Sequence, residues 1–215
     1  MAAASPARSE GDPAHIAKVR EMLALQTKCL RHPEMWANGE PGREVPAVQA
    51  VLDGRGGAGE LEARAAAGIA QRVVGDAWES YRSSLKGRLD LSGADFTGQF
   101  FLSLDFRRAR LVGTSFRRCR LFVCFFDGAD LQGACFEKAY GIGLCLGEAN
   151  LSGSCFRKAD LMAPLADDRT RFDDADFSGC TLRKWNDGSG GDTIAKFKGL
   201  LSAAQQKQLA RGWFG

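Results

Sequence analysis

The chain has 215 residues, of which 45% are apolar and 26% are charged, and its formal net charge at pH 7 is +3. This composition can bury a core, and the sequence has no run of about 18 apolar residues that would predict a membrane span. The balanced charge predicts neither a nucleic-acid nor an acidic-membrane partner, and seven cysteines without CxxC spacing are typical of free thiols in a reducing compartment. We therefore expect a cytoplasmic protein.

The chain is expected to begin with a disordered tail and a helical region. Residues 1–13 are small and polar and are predicted to be the tail, whereas residues 14–86 form the helical region. Apolar residues at helical spacing predict a helix over 14–31 and a longer amphipathic helix over 60–85. Between them, a short helix over 47–52 and a flexible loop over 53–60 are predicted. Such amphipathic helices need a surface to cover.

From Leu91 onward, a Leu or Phe recurs at every fifth position, with a small residue two positions before most of them. Five helical steps rotate a side chain by about 140°, and five strand steps move it to the opposite face. Neither regular element can bury such a series, so the chain must turn at each repeat. Gly141 interrupts the series, which resumes at Leu146.

A longer period of 20 residues is superimposed on the first. The segments LSGADF, LVGTSF, LQGACF and LSGSCF start at residues 91, 111, 131 and 151, and FDDADF follows at 172 after a one-residue slip near 167–170. Four five-residue sides therefore make one coil, and positions 20 apart stack on one another. The stack Phe96, Phe116, Phe136 and Phe156, continued by Phe177, is predicted to form a ladder inside the coils.

The segments GADLQGACF, EANLSGSCF, KADLM and DADFSGC resemble the A-[DN]-[LF]-x-x unit of the pentapeptide-repeat family, over roughly residues 88–182. The resemblance implies a mainly β fold, a right-handed quadrilateral β-helix of between four and five coils. We assign this solenoid to residues 87–182. The central Leu or Phe and the preceding small residue would point inward on every side.

One outward column of the predicted solenoid is apolar and is interpreted as a docking surface. It lies on the third side of each coil, and apolar residues flank it. The column is Leu102, Phe122, Ile142 and Met162, and its neighbours are Phe100, Tyr140, Val123 and Phe125. An apolar stripe of this size usually marks a covered or binding surface. The chain's own helices, a partner protein or a second copy could cover it.

A second outward feature is a basic ladder on the second side. It comprises Arg117, Arg118, Lys138, Arg157 and Lys158. Solvated charge that keeps a repeat protein soluble explains such a ladder, and an acidic or phosphate-rich partner is the functional alternative.

Residues 183–215 are predicted to form a loop and a capping helix. Ser202 is a candidate N-cap, and the last coil of a solenoid needs a cap because its interior and strand edges are otherwise open. Trp185, Trp213 and Phe214 would contribute apolar contacts to the cap. The same helix could instead form a homodimer contact.

No catalytic residue, cofactor site or metal site is predicted. Cys29 and His32 could share a helical face, but two ligands do not make a zinc site. Cys135 and Cys155 are expected to be neighbours on an outward column, where small residues are tolerated and a redox or metal role is the alternative. The repeat aspartates Asp95, Asp130, Asp160 and Asp176 are expected to make turn hydrogen bonds rather than acid–base catalysis.

These observations favour a non-enzymatic scaffold that binds another protein through a solenoid side and the flanking helices. The family resemblance implies an alternative, since some of its members imitate DNA, bind gyrase and protect it from quinolones. An imitation of DNA needs a strongly negative surface. The repeat region instead carries 12 basic and 13 acidic residues. An enzyme or metal protein that uses the N-terminal helical region is the second alternative.

Overall fold

The computed structural model describes residues 10–31, 74–184 and 193–210, and helix α1 spans Pro13–Arg31. Residues 74–75 are π-helical and lead into α2, Asp76–Ser84. Five three-residue strands follow, and two short helices, α3 (Thr193–Gly199) and α4 (Ala203–Gln208), close the described chain. The strands are β1 Phe100–Leu102, β2 Arg120–Phe122, β3 Tyr140–Ile142, β4 Asp160–Met162 and β5 Thr181–Arg183.

The strands form one parallel sheet in the order β1 to β5, with residues 20 apart in register until the last pair. This sheet is the third side of the coils. The other three sides are also paired in parallel, but through single bridges such as Asp90↔Arg110, Ser115↔Cys135 and Phe125↔Cys145. The structure is therefore a parallel β-solenoid of about four turns with helices at both ends, which confirms the predicted fold class.

The phenylalanine ladder runs through the core as the 20-residue period predicts. Ring centroids are 6.0 Å apart for Phe96–Phe116, and this distance falls to 4.8 Å for Phe136–Phe156, whose planes differ by 2°. Phe177 continues the stack at 4.9 Å from Phe156, after the one-residue slip. All five rings are at most 1% exposed, so this column is the spine of the core.

At the break in the repeat, the small side chain at position 141 is compensated by a large side chain at position 144. Gly141 lies at an inward position, and a Cβ built on it would be 2.8 Å from Leu144 Cδ1 and 2.9 Å from Leu161 Cδ2. Leu144 stands where the preceding coil has the smaller Cys124, and it is buried. A large residue three positions later thus fills the space that the glycine leaves.

The one-residue slip is accommodated between the fourth and first sides. Leu165 still pairs with Cys145 at a spacing of 20, whereas Arg171 pairs with Asn150 at a spacing of 21. Thr170 takes the small inward position there, and its hydroxyl donates a hydrogen bond to Leu146 O at 2.9 Å. The extra residue is therefore held in a turn, and the core columns continue in register.

The N-terminal end of the solenoid is closed by residues 10–31 and 74–84. On the first side, Gly11 N donates to Ser92 O at 2.7 Å and Asp12 N donates to Asp90 O at 3.1 Å, which adds one more rung to the ladder. Helix α1 then buries Val19, Met22 and Leu23 against the first coil.

Side chains satisfy the exposed edge on the third and fourth sides. Gln26 Nε2 donates to Leu102 O at 2.6 Å on the third side. On the fourth side, Trp78 Nε1 and Arg82 Nη1 both donate to Asp105 O, at 3.0 and 3.1 Å. The described part of the predicted helix 60–85 therefore caps the first coil, where Trp78 packs on Phe106 at 5.9 Å.

Helices α3 and α4 close the C-terminal end. Ile194, Phe197 and Leu201 join the core, and Gln205 Nε2 donates to Phe172 O at 2.6 Å and to Ala175 O at 3.1 Å. Ser202 is the N-cap of α4 and forms a capping box with Gln205, as predicted. The predicted cap residues Trp185, Trp213 and Phe214 lie outside the described residues. A homodimer through this end stays a prediction.

Several other sequence predictions lie outside the described residues: the tail up to residue 9, the short helix 47–52, the loop 53–60 and the first part of helix 60–85. Helix α1 matches the predicted helix 14–31 closely. No helix within residues 10–31, 74–184 and 193–210 is long and apolar enough to cross a membrane.

Candidate binding surfaces

The apolar column on the third side is mostly buried within the chain. Leu102, Phe122 and Ile142 are 1%, 1% and 0% exposed, and Met162 is half-buried. The exposed stripe predicted from the sequence is therefore not free for docking at three of its four positions. Burial by other parts of the chain, one of the alternatives left open above, fits these values.

Several described residues contribute to this burial. Gln26 contacts the backbone of Leu102, and the rings of Phe100 and Tyr140 flank Phe122 at centroid distances of 5.3 and 5.9 Å. Phe100 and Tyr140 are themselves half-buried. Burial raises the pKa of the Tyr140 hydroxyl, and the Asp160 carboxylate acts in the same direction.

The remaining predicted docking residues, Val123 and Phe125, are half-buried at the corner between the third and fourth sides. The Arg107 guanidinium lies 5.9 Å from the centre of the Phe125 ring. Leu165, in the same column as Phe125, is 45% exposed and is the exposed large apolar residue of the described chain. This corner is thus only partly accessible.

The basic ladder is exposed on the second side, where the structure brings all five predicted residues together. Arg118, Lys138 and Lys158 adopt the left-handed backbone conformation with φ of 54°, 57° and 56°, so their side chains leave three successive coils in the same orientation. Their backbone amides donate to the next coil at 2.9 Å, which fixes the three Cα atoms at the interstrand spacing of about 4.8 Å.

The neighbouring column is partly neutralised. Arg117 pairs with Glu137, and Arg157 Nε lies 3.3 Å from the Asp176 carboxylate. By contrast, Arg118, Lys138 and Lys158 form no ion pair with a carboxylate of the described residues. The three cations are therefore the uncompensated part of the ladder.

The equivalent position on the other sides carries no uniform charge. It is Gly93, Gly113, Gly133 and Gly153 on the first side, continued by Asp174. On the third side it is Ser103, Val123, Gly143 and Ala163, and on the fourth it includes Arg108, Gly128 and Glu148. A column of like charges at this position is thus specific to the second side.

Cys135 and Cys155 also lie on the second side, in the column that precedes the phenylalanine ladder. They pair directly across two coils and are both half-buried. Cys119, Cys124 and Cys180 are buried inside the solenoid, where burial raises the pKa of each thiol to about 12. These three thiols pack in the core, as small residues were predicted to do.

Three of the four repeat aspartates, Asp95, Asp130 and Asp176, make the predicted turn hydrogen bonds, whereas Asp160 does not and pairs with Arg183 instead. Asp95 accepts from Thr97 N at 2.9 Å and Asp176 accepts from Ser178 N at 2.9 Å. Hydrogen bonds from Thr97 and Ser178 lower the pKa of these two carboxyl groups. Asp160 differs, because burial raises its pKa despite the neighbouring Arg183 guanidinium. One of its carboxylate oxygens is buried without a hydrogen-bond partner.

The residues that the structure describes contain no cluster of three or more potential metal ligands. His15 accepts a hydrogen bond from Asp90 N at 3.1 Å, so it contributes to the N-terminal cap. His32 and the side chain of Cys29 lie outside the described residues.

The sequence pattern did not predict that Gln26 and Gln205 cap the solenoid. A glutamine at a position where a helical face is otherwise apolar is the signal that could have indicated this role.

The repeat of this chain matches a known protein family. The model of the family "Pentapeptide repeats" matches residues 90–122 and 105–140. A pentapeptide repeat protein from the thylakoid lumen of Arabidopsis thaliana is 23% identical, over 51% of this chain and 87% of that one, with a TM-score of 0.24. A pentapeptide repeat protein from Nostoc PCC 7120 is also 23% identical, over 51% of this chain and 95% of that one, with a TM-score of 0.29.

QnrB1, a plasmid-mediated fluoroquinolone resistance protein, is 25% identical over 42% of this chain and 56% of its own, with a TM-score of 0.17. No curated protein matches the sequence of this chain. The three TM-scores are low, so the likeness concerns the repeat and transfers no activity or partner to this chain.

Proposed function

Because the chain belongs to the pentapeptide-repeat family through its solenoid, we propose that it is a non-enzymatic scaffold whose second side binds an acidic helix of another protein. The observation that carries this proposal is the column Arg118, Lys138 and Lys158, three exposed cations on successive coils. Extended rigid surfaces of this kind are how repeat solenoids commonly bind their partners.

The backbone conformation supports a role for these cations beyond solubility. A left-handed backbone costs energy for any residue with a Cβ, and the first and last coils have Gly98 and Gly179 at this position. The three middle coils carry long cations instead, stacked where they repel one another. An anionic partner would relieve that repulsion.

The spacing supports a helical partner. The cations rise by about 4.8 Å per coil. Carboxylates at positions i, i+4 and i+8 of a helix follow one another at about 5–6 Å, which is close to this rise. The flanking Arg117 and Arg157 already have carboxylate partners, so the three uncompensated cations would dominate recognition.

A binding experiment with a defined probe tests the proposal. The probe is a fluorescent helical peptide with glutamates at i, i+4 and i+8 on one face, and its binding is followed by fluorescence anisotropy at low and high salt. The altered protein carries Arg118→Glu, Lys138→Glu and Lys158→Glu. We expect its affinity to be lower by roughly tenfold or more, since three charge pairs are lost.

The matched control is Arg108→Glu on the fourth side. Arg108 has φ of 57°, and Glu148, in the same column, has the same φ, so glutamate is compatible with this backbone. Binding by the control at the affinity of the unaltered protein is expected. Equal affinity of the triple variant and the unaltered protein, or equal binding of a peptide with glutamines in place of glutamates, would reject the proposal.

The alternative of gyrase binding by imitation of DNA has no support from the second side, because the column carries the charge opposite to that of a phosphate backbone. A supercoiling assay with added protein tests it directly. Inhibition of gyrase at micromolar protein would favour this alternative over the acidic-helix proposal. Measurement of the zinc content of the purified protein tests the second alternative, a metal site at Cys29 and His32.

A further inference from the structure

Two cysteines face each other across successive coils on the outside of the solenoid. Cys135 pairs with Cys155 in parallel register. Phe136 N donates to Cys155 O at 2.7 Å and Cys155 N donates to Ala134 O at 2.9 Å, so the backbone holds the pair in place. The interstrand spacing of about 4.8 Å lies within the Cα separations that a disulfide spans, about 4.4–6.8 Å.

The surroundings distinguish this pair from the other described cysteines. Cys119, Cys124 and Cys180 are buried, whereas Cys135 and Cys155 are half-buried on an outer side. Cys145 is also half-buried, but its partners across the coils are Phe125 and Leu165. Among the described residues, Cys135 and Cys155 are thus the outward cysteines with a cysteine at the paired position.

The two thiols have different neighbours. Arg157 Nη2 lies 4.0 Å from Cys155 Sγ and donates toward it, so a guanidinium stands beside this sulfur. Burial raises the pKa of the Cys135 thiol, and the charge of Cys155 adds to that effect. The Arg157 guanidinium is placed to hydrogen-bond the Cys155 sulfur during disulfide exchange. We therefore expect Cys155 to attack first and Cys135 to resolve the mixed disulfide.

We propose that Cys135 and Cys155 form a reversible disulfide with each other. The oxidant is a low-molecular-weight disulfide such as oxidised glutathione. The Cys155 thiolate attacks one sulfur of the oxidant, whose S–S bond breaks and releases one glutathione thiolate. The Cys135 thiol then loses its proton and attacks Cys155 Sγ, which releases the second glutathione. Two protein thiols are oxidised by two electrons, and one oxidised glutathione becomes two reduced ones.

The geometry indicates that the bond is labile. Residues paired directly on a parallel ladder are held at about the interstrand spacing of 4.8 Å, which is slightly beyond the usual Cβ···Cβ distance of about 3.8 Å in disulfides. Closing the bond therefore requires a small distortion of two coils. Strained and accessible disulfides are reduced more easily than relaxed buried ones, which suits a reversible modification.

The test uses the full chain incubated with defined ratios of oxidised to reduced glutathione, followed by thiol blocking, trypsin digestion and mass spectrometry without reduction. Lys138 separates the two cysteines, so the cross-link joins peptide 121–138 to peptide 139–157. We expect this cross-link in the unaltered protein and in Cys145→Ser, its loss in Cys135→Ser and Cys155→Ser, and its reversal by dithiothreitol.

The single variants also test the assigned order of attack. Serine is compatible with this column, since Ser115 occupies it one coil earlier, so both variants are expected to fold with the circular dichroism of the unaltered chain. Cys135→Ser should accumulate a glutathione adduct on Cys155 faster than Cys155→Ser accumulates one on Cys135. No cross-link at any glutathione ratio, or a cross-link that persists in Cys155→Ser, would overturn the proposal. The outcome does not depend on the acidic-helix proposal.

Discussion

The side-chain amide of Gln26 occupies the place of a missing strand next to Leu102. Its Nε2 donates to Leu102 O at 2.6 Å, and Leu102 N donates to its Oε1 at 3.4 Å. This is the pairing that a peptide group of a preceding coil would make. Gln26 is 2% exposed, so no water competes for these groups.

Replacing Gln26 by methionine keeps the side-chain volume and removes both hydrogen bonds. The Leu102 carbonyl would remain buried without a donor, which costs about 1–3 kcal/mol. We expect the free energy of unfolding, from urea denaturation followed by circular dichroism, to fall by that amount. Gln132→Met, at an exposed outward position, is the control and should change stability little. Equal stability of both variants would show that the amide is not a cap.

Gly141→Ala tests how tightly the break in the repeat is packed. The added methyl group would overlap Leu144 and Leu161, so we expect a loss of about 1–3 kcal/mol in unfolding free energy. Gly87→Ala, where a Cβ meets nothing within 4 Å, is the control. The double variant Gly141→Leu with Leu144→Ala restores the regular repeat. We therefore expect it to lose less unfolding free energy than the sum of the losses of the single variants Gly141→Leu and Leu144→Ala. Strict additivity of these two changes would contradict this explanation.

Phe136→Ala should be among the most damaging single changes in the solenoid. Its ring stacks on Phe116 at 5.1 Å and on Phe156 at 4.8 Å. Truncation leaves a cavity between two coils, at an expected cost of about 3–5 kcal/mol in urea denaturation. Phe100→Ala, on the half-buried outer face, should cost less. A smaller loss for Phe136 than for Phe100 would contradict the assignment of the ladder as the spine.

Asp160 and Asp176 should have opposite effects on the pH dependence of stability. Burial raises the pKa of Asp160, so the folded state favours its protonated form, and the associated stability is present at low pH and lost as pH rises through that pKa. Hydrogen bonds from Ser178 lower the pKa of Asp176, so its contribution is present near neutral pH and lost as pH falls through its lowered pKa.

Urea denaturation between pH 2 and pH 7 measures both effects. The difference in unfolding free energy between Asp160→Asn and the unaltered protein should shift in favour of the variant as the pH rises from 2 to 7. Asp176→Asn should show the reverse trend, and Asn150 shows that asparagine makes the same turn hydrogen bond to Ser152. Parallel trends in the two variants would contradict the opposite signs.

The interior of the solenoid was predictable because one steric requirement repeats at every side. A Leu or Phe at each fifth position can be buried only if the chain turns, and the observed core follows that series. The exchange of volume between Gly141 and Leu144 was not predictable, because the two changes lie at different positions of the repeat and compensate only in three dimensions. The slip near residue 170 was visible, since the 20-residue period resumed one position late.

The apolar column shows where periodicity stops being informative. The repeat period predicts that Phe122 and Ile142 point away from the solenoid interior. The solvent exposure of their side chains depends instead on tertiary packing, which the period does not predict. Both are buried. The caps were hidden for a similar reason, because glutamine is ordinary on protein surfaces and only the location of Gln26 and Gln205 at the solenoid ends gives it the role of a peptide group.

The arrangement of the two caps also bears on the length of the molecule. The described hydrogen bonds of Gln26 reach the first coil, and those of Gln205 reach the last. A complete coil of 20 residues inserted between them would meet the same neighbours above and below, without any change at either terminus. The number of coils is therefore a modular variable, which engineering could use to lengthen the cationic column by one step at a time.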